Sequence, residues 1–516
     1  MSREDLFESL GLDRRRFLTV GALAAAAHVV GCQTPSAPAP EAQTDPASAP
    51  FDLAEVDLGA LADGLGDGRY TSRSLVEAYL GRIEALNHRG PTLRAVIETD
   101  PKALEIADAL DAERSQGTVR GPLHGIPILL KDNIATHDGT TTTAGSLALA
   151  GSKPTEDAFL AARLREAGAV LIGKANLSEW ANFRSTRSSS GWSGRGGQCR
   201  NPYSLDRTPC GSSSGSGVAV AANMVAAAVG TETNGSIVCP SSHNGIVGLK
   251  PTVGLVSRTG VIPISSTQDT AGPMTRSVKG AAILLGAMAG ADPKDPAGPA
   301  AAEHIHADYT QFLGDGDLSG VRLGVSRGHF GFDPNVDARM EEALAKFSEL
   351  GAELVDPVEL PGFQDLGDSS YQLMLYEFKA GLNEYFASLG DDAPIKSLDE
   401  LIEWNQANAD ASMPYFGQEI LEQAAEKGDL SDEAYLEARA KALRIMRKEG
   451  IDKVIAEHNL DAFVAPTNGP SWRIDLVNGD NFGGGSSTPA AVAGYPTITV
   501  PAGFVHGLPV GVSIFS

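Results

Sequence analysis

The chain has 516 residues, 42% of them hydrophobic and 58 of them glycine, and a formal net charge of −24. That composition fits an ordered α/β globule and not a disordered chain, and the length allows one large domain or several ordinary ones. The acidic balance argues against nucleic acid as a partner, because phosphate binding needs a basic face.

The first fifty residues read as an address. Arg14-Arg15-Arg16-Phe17-Leu18 opens an apolar stretch of 14 residues from Phe17 to Val30. That is the length of a signal-peptide core and short of the ~20 residues that span a bilayer. Residues 1–31 resemble a bacterial twin-arginine signal, so the expected localisation is exported, periplasmic or at the cell envelope. Val29-Val30-Gly31-Cys32 resembles a lipoprotein cleavage box, which makes Cys32 the expected lipid attachment site and membrane tether. The competing reading is an alanine-rich N-terminal helix that is retained. Residues 32–50 are a Pro/Ala tether without apolar period, unable to bury enough surface to offset its ordering entropy. At ~3.1 Å per residue it reaches roughly 55 Å.

From residue 51 the chain alternates helical and strand patterns. Thr71 to Leu86 opens on a Thr/Ser cap and carries Leu75, Tyr79, Ile83 and Leu86 at helical spacing. Gly125–Leu130 and Ala169–Ile172 read as buried strands, with a helix over Asp157–Ala167 between them. The alanine-rich run Val218–Val229 reads as a closely packed central helix, and residues 335–460 as helix-rich and charged. Thr497–Val500 and Val510–Phe515 read as paired strands joined by a Pro/Gly-rich connection from Pro501 to Pro509. This alternation predicts an α/β fold, one large domain over 51–516 with helices on both faces of a sheet.

Several motifs invite over-reading. Gly168 to Ala175 nearly matches a phosphate-binding loop, but its intervening residues are apolar and Ala175 stands where a hydroxyl is required. None of the ten histidines shows metal-ligand pairing, and His304 and His306 form an isolated pair in a polar stretch. The cysteines Cys32, Cys199, Cys210 and Cys239 show no CxxC spacing; with Cys32 set aside, at most one disulfide remains, and Cys210 and Cys239 read as small buried thiols. Gly211-Ser212-Ser213-Ser214-Gly215 fits the nucleophile-elbow pattern, with His458 or His506 to complete a triad on Ser213. That motif needs a buried strand before it, and Leu205-Asp206-Arg207-Thr208-Pro209 does not supply one.

A different constellation carries more chemistry. The runs Cys210 to Gly217 and Thr231 to Ile237 set Ser212 and Ser236 24 residues apart. Upstream, the apolar run Ile126 to Leu130 ends on Lys131. Burial there disfavours the ammonium form and makes a lysine useful as a base. A nucleophilic serine needs such a base and backbone donors for the developing oxyanion. Asn234-Gly235-Ser236 suits the donors, since asparagine and glycine tolerate left-handed backbone.

These segments resemble the amidase signature family. The resemblance lies in GPLHGIPILLKDNI (121–134), LIGKANLSEWANF (171–183), NPYSLDRTPCGSSSGSGVAVAAN (201–223), GTETNGSIVCPSSHNGIVGLKPTVGLVS (230–257) and QDTAGPMTRS (268–277). It implies a mixed β-sheet core covered by helices on both faces, and hydrolysis of carboxamide C–N bonds through an acyl-enzyme. By motif position the implied triad is Lys131, Ser212 with a cis peptide before it, and nucleophilic Ser236. The backbone N–H groups of Thr233, Asn234, Gly235 and Ser236 are the expected oxyanion hole. No metal or organic cofactor is implied. Asn234 stands where the family often has glycine, Cys210 and Ser214 replace common glycines, and Val238 replaces a common arginine. These variants resemble the peptide amidase-type subgroup, which implies a peptide amide or small amide substrate. The family also holds an amidotransferase subunit that serves charged tRNA, which an exported, acidic chain would not meet. The resemblance further implies a strand-to-helix segment beyond Ser516. A tethered binding protein that has lost turnover is the non-enzyme alternative.

Overall fold

The first strands run in the order β1 (Val96–Thr99), β2 (Pro127–Lys131), β3 (Val170–Ala175), then a short hairpin of β4 (Trp192–Ser193) and β5 (Gly197–Gln198). There follow β6 (Ala227–Glu232), β7 (Val247–Lys250), β8 (Thr270–Thr275), β9 (Arg322–Ser326) and β10 (Glu353–Val358). The last are β11 (Ala462–Pro466), β12 (Thr497–Val505) and β13 (Leu508–Phe515). Eleven of them form one sheet in the order β1-β3-β2-β6-β8-β7-β12-β13-β11-β9-β10. The structure, a computed structural model, describes residues 51–360, 366–391 and 393–516. The expected signal, the Cys32 attachment site and the tether lie outside the described residues.

The sheet is mixed and helices cover both its faces, as the alternation predicts. β2 lies parallel between β3 and β6, and all five of its residues are buried. A strand covered on both faces needs an unbroken apolar run, which Pro127 to Leu130 provides. Lys131 therefore ends in the core because the strand carries it there. The helix Ser72–Ile83 starts where the sequence places it: Thr71 and Ser74 form a reciprocal cap, each hydroxyl accepting from the other residue's N–H at 3.0 Å.

Three expectations need correction. The run Val218–Val229 is not one helix. A helix over Ser214–Ala221 stops, Asn223 turns left-handed at φ 59°, and the rest becomes β6. Small apolar residues buried on every side look alike in either state, so periodicity could not separate them. The segment Pro501–Pro509 is not a loose connection, since Pro501↔Gly511 and Phe504↔Pro509 continue the β12–β13 ladder to a turn at His506-Gly507. The irregularity falls between Pro501 and Gly503, where a bulge accommodates residues that weaken a regular strand. Cys210 and Cys239 are not free thiols but a disulfide, with Cα atoms 6.0 Å apart; Cys199 is free and buried.

The helix-rich stretch forms a wall beside the sheet. Ser369–Ser388 is its longest helix, and Phe378, Leu382 and Phe386 pack in a core with Leu401 and Leu421 from Leu398–Ala407 and Glu419–Ala425. Phe378 meets Phe183 edge-on at 5.1 Å, which joins the wall to the loop after β3. Burying each such side chain contributes about 1.5–3 kcal/mol.

Candidate active site

Lys131 closes β2 with its amine buried. Nζ lies 2.8 Å from Ser212 Oγ, 2.9 Å from Thr231 Oγ1 and 3.2 Å from the Thr231 carbonyl. Thr231 sits near the end of β6, the strand beside β2, and its Oγ1 also accepts from Asn133 Nδ2 at 3.0 Å. Among the described residues no carboxylate forms an ion pair with this lysine. A neutral amine has two N–H donors and one lone pair, and the site matches that count: the Thr231 carbonyl and hydroxyl accept, and the lone pair faces the Ser212 hydroxyl. Burial lowers the lysine pKa to about 7, against the opposing pull of Asp269 and Glu232.

The Ser212 loop is fixed by its backbone. The Gly211–Ser212 peptide is cis. Ser178 N–H donates to the Ser212 carbonyl at 3.0 Å, and Ser178 Oγ accepts from Gly191 N–H at 2.9 Å. A Cβ at position 211 would overlap that hydroxyl, so glycine is required there. Ser213 N–H donates to the Ser236 carbonyl at 3.2 Å, which sets the two serine clusters side by side. Ser236 is 9% exposed, and among the described residues nothing hydrogen-bonds its hydroxyl.

Two further sequence readings change here. The Gly235 N–H, expected among the oxyanion donors, donates instead to Glu232 Oε1 at 2.8 Å. Glu232, 1% exposed, also accepts from Ile237 at 2.8 Å and Val238 at 3.1 Å through Oε2. A buried carboxylate takes the nearest N–H groups, and reading the loop as a set of free donors overlooked the acid at its start. Among the described residues no hydrogen bond occupies the N–H groups of Thr233, Asn234 or Ser236. The rival nucleophile Ser213 is fully buried: its hydroxyl donates to the Thr231 carbonyl at 3.0 Å and accepts from the Thr231 N–H at 3.2 Å. His458 and His506 are exposed, at a helix end and in the β12–β13 turn, so neither serves Ser213.

The Amidase family model matches residues 74–516. A probable amidase of Arabidopsis thaliana is 40% identical over 90% of this chain and 87% of its own. The A chain of the glutamyl-tRNA(Gln) amidotransferase of Chloroflexus aurantiacus is 37% identical over 90% and 93%. Among solved structures, a peptide amidase in complex with the competitive inhibitor chymostatin shares 52% identity at a TM-score of 0.88, covering 90% of this chain and 94% of that one. The native peptide amidase of Stenotrophomonas maltophilia shares 51% at 0.86, with the same coverage. The chain belongs to the amidase family. It hydrolyses amide carbon–nitrogen bonds.

In this amidase a cavity of about 780 Å³ opens beside Lys131, with Asn133, Thr231 and Thr233 at its inner end. Its far side is the helical wall, through Gly381, Glu384 and Tyr385, and Leu430. Asp269 lines it as well and accepts from Thr233 Oγ1 at 2.6 Å and from the N–H groups of Ile264 at 2.7 Å and Ser265 at 2.9 Å. Burial raises its carboxyl pKa to about 6, leaving it ionised above that pH. The roles of Thr231, Asn133 and Asp269 were not separable in the sequence, although all three lie inside the quoted motifs. Their partners are 36 to 100 residues away and are set by strand order.

Proposed function

We propose that this amidase converts a carboxamide to a carboxylic acid and ammonia or an amine through an acyl-enzyme on Ser236, with Ser212 as relay and Lys131 as base. The 2.8 Å approach of Lys131 Nζ to Ser212 Oγ, in a buried site whose other partners suit a neutral amine, carries this reading. Ser236 Oγ attacks the carbonyl carbon while its proton passes to Ser212 and the Ser212 proton to Lys131. The carbonyl π pair moves onto oxygen, where the N–H groups of Thr233, Asn234 and Ser236 stabilise it. The C–N bond then breaks, and the leaving nitrogen recovers the proton through Ser212. Water attacks the ester by the same relay in reverse and releases the acid.

The substrate class we infer is the C-terminal amide of a peptide. Support comes from the likeness to a peptide amidase held with a competitive inhibitor, and from a cavity volume in the range that encloses small ligands. We also propose that the chain is exported and tethered through Cys32; the Cys210–Cys239 disulfide suits an oxidising compartment. Metabolic labelling with palmitate tests the tether: label lost on Cys32→Ala supports it, and unlabelled wild type in its native host refutes it.

A fluorophosphonate probe tests the chemistry without a guess at substrate. An adduct mapped to Ser236, absent in Ser236→Ala and slowed in Lys131→Ala, is the expected result. An adduct on any other serine overturns the assignment. Amidated and free-acid forms of one peptide then test the substrate class by release of ammonia.

A further inference from the structure

Asn234 departs from the small residue that the family pattern favours, and its side chain is engaged. Ser487 Oγ donates to Asn234 Oδ1 at 2.7 Å, and Asn234 Nδ2 donates to Thr488 Oγ1 at 3.1 Å. Both partners lie about 250 residues later in the chain, at the start of the helix Thr488–Ala493. They are themselves anchored. Ser486 is fully buried, its hydroxyl donating to the Pro466 carbonyl at 2.8 Å and its N–H to the Thr467 carbonyl at 3.2 Å. The bonds of Asn234 therefore tie the loop after β6 to β11, five positions away in the sheet.

The other sides of this loop are already held. Glu232 binds the N–H groups of Gly235, Ile237 and Val238 from beneath. Thr233 is fastened to Asp269 through its hydroxyl and to Gln268 Nε2 through its carbonyl at 3.3 Å. The outer edge remains, and Asn234 is exposed there. Gly235 beside it is left-handed at φ 81°, and an added Cβ would sit 3.1 Å from Ser487 Oγ. A flexible glycine next to the donors is a place where their direction could drift. An amide that accepts from one anchored hydroxyl and donates to another removes that freedom.

We propose that Asn234 is a positioning residue, latching the loop of oxyanion donors to Ser487 and Thr488 so that the N–H groups of Thr233, Asn234 and Ser236 converge on one point. The latch touches no reacting atom. It acts on the transition state because misaligned donors lose strength steeply with angle while ground-state binding in the cavity is unaffected. The inference rests on the reading of Ser236 as nucleophile.

The test compares Asn234→Ala, Ser487→Ala and Thr488→Val, and the Asn234→Ala/Ser487→Ala pair, by fluorophosphonate labelling rate, by kcat and KM on an amidated peptide, and by Tm. Asn234→Ala should slow labelling and lower kcat about tenfold, the scale of a lost hydrogen bond, with KM within twofold. The double variant should be little slower than Asn234→Ala alone, since both remove one contact. Losses that multiply in the double variant, a change confined to KM, or a kcat recovered by assaying further below Tm would each overturn the latch. An adduct that still forms on Ser236 at the wild-type rate in Asn234→Ala overturns the latch alone. A wild-type adduct elsewhere than Ser236 overturns the latch and the mechanism together.

Discussion

The floor around Lys131 and the wall carried by the helix Ser369–Ser388 border the same cavity but hold their polar groups differently. On the floor, Lys131, Thr231, Asn133 and Glu232 are buried and spend their hydrogen bonds on one another or on the backbone. On the wall, Glu384 is exposed and among the described residues pairs with nothing, and Leu430 is 37% exposed. Preorganised groups serve a transition state, whose charge develops in one place. Loosely held groups serve recognition, where a side chain can adapt to what enters. The comparison predicts that damage to the floor appears in kcat and damage to the wall in KM.

The largest break comes from the floor. Lys131→Ala and Ser212→Ala should each lower kcat by about 10²–10⁴-fold, the range for loss of general base or relay, with KM nearly unchanged. Steady-state kinetics on an amidated peptide checks this, and a loss shared equally by KM would make these residues part of binding. The wild type should lose activity tenfold per pH unit below about 7, because Lys131 must shed its proton to act and burial brings its pKa there. An activity maximum below about pH 6 would remove lysine from the role of base.

The same burial has a stability signature with a definite sign. The folded lysine has a pKa of about 7, against 10.5 for a free lysine side chain. Between those values the unfolded chain binds a proton that the folded chain lacks, so raising the pH stabilises the fold. Below about pH 7 both states are protonated and the full cost of a buried ammonium remains. Lys131→Met should therefore be more stable than the wild type at neutral pH, by a margin that shrinks as pH approaches 10.5. Denaturant midpoints across that window measure the margin, and one that grows with pH contradicts a lysine buried as described.

A smaller effect is expected from the covalent link across the floor. The Cys210–Cys239 disulfide closes a loop of 29 residues that contains both Ser212 and Ser236. Removing it should cost about 3–4 kcal/mol of stability by the loop-entropy relation. Because Glu232 and Asn234 hold the second serine independently, the Cys210→Ser/Cys239→Ser variant should keep kcat within a few-fold at low temperature. Calorimetry beside kinetics separates the two, and a collapse of kcat without loss of Tm would place the disulfide among the positioning elements.

The floor was also the more legible region. Lys131, Ser212 and Ser236 stand out in the sequence because each interrupts a local pattern: a lysine ending an apolar run, and serines in glycine-rich turns. Their supporting contacts do not stand out. Asn133 meets Thr231 only because β2 and β6 are neighbours, and Asn234 meets Ser487 only because the chain returns to β11. Helical runs after residue 335 were readable from charge and period, but which of their faces lines the cavity is fixed by packing such as Phe378 on Phe183. The disulfide was illegible for a related reason. Three cysteines without motif spacing contain no statement of which pair will meet, and only the joining of the two serine loops decides it.

The smallest expected effect belongs to the wall and tests its half of the comparison. Glu384 presents an unpaired carboxylate to the cavity from the helix that forms its far side. Solvent screens such a group, so Glu384→Gln should leave kcat unchanged and raise KM no more than about fivefold, and only for peptides carrying a cationic side chain. Leu430→Ala should act in the complementary sense, raising KM for apolar peptides about tenfold or less through lost contact area. A matched pair of amidated peptides, one with lysine and one with leucine at the same position, reads both variants. If Glu384→Gln changes kcat for both peptides alike, the wall is part of the transition-state machinery and the division between fixed floor and adaptable wall fails. If each variant moves KM for its own peptide alone, recognition lies in side chains that the fold leaves free.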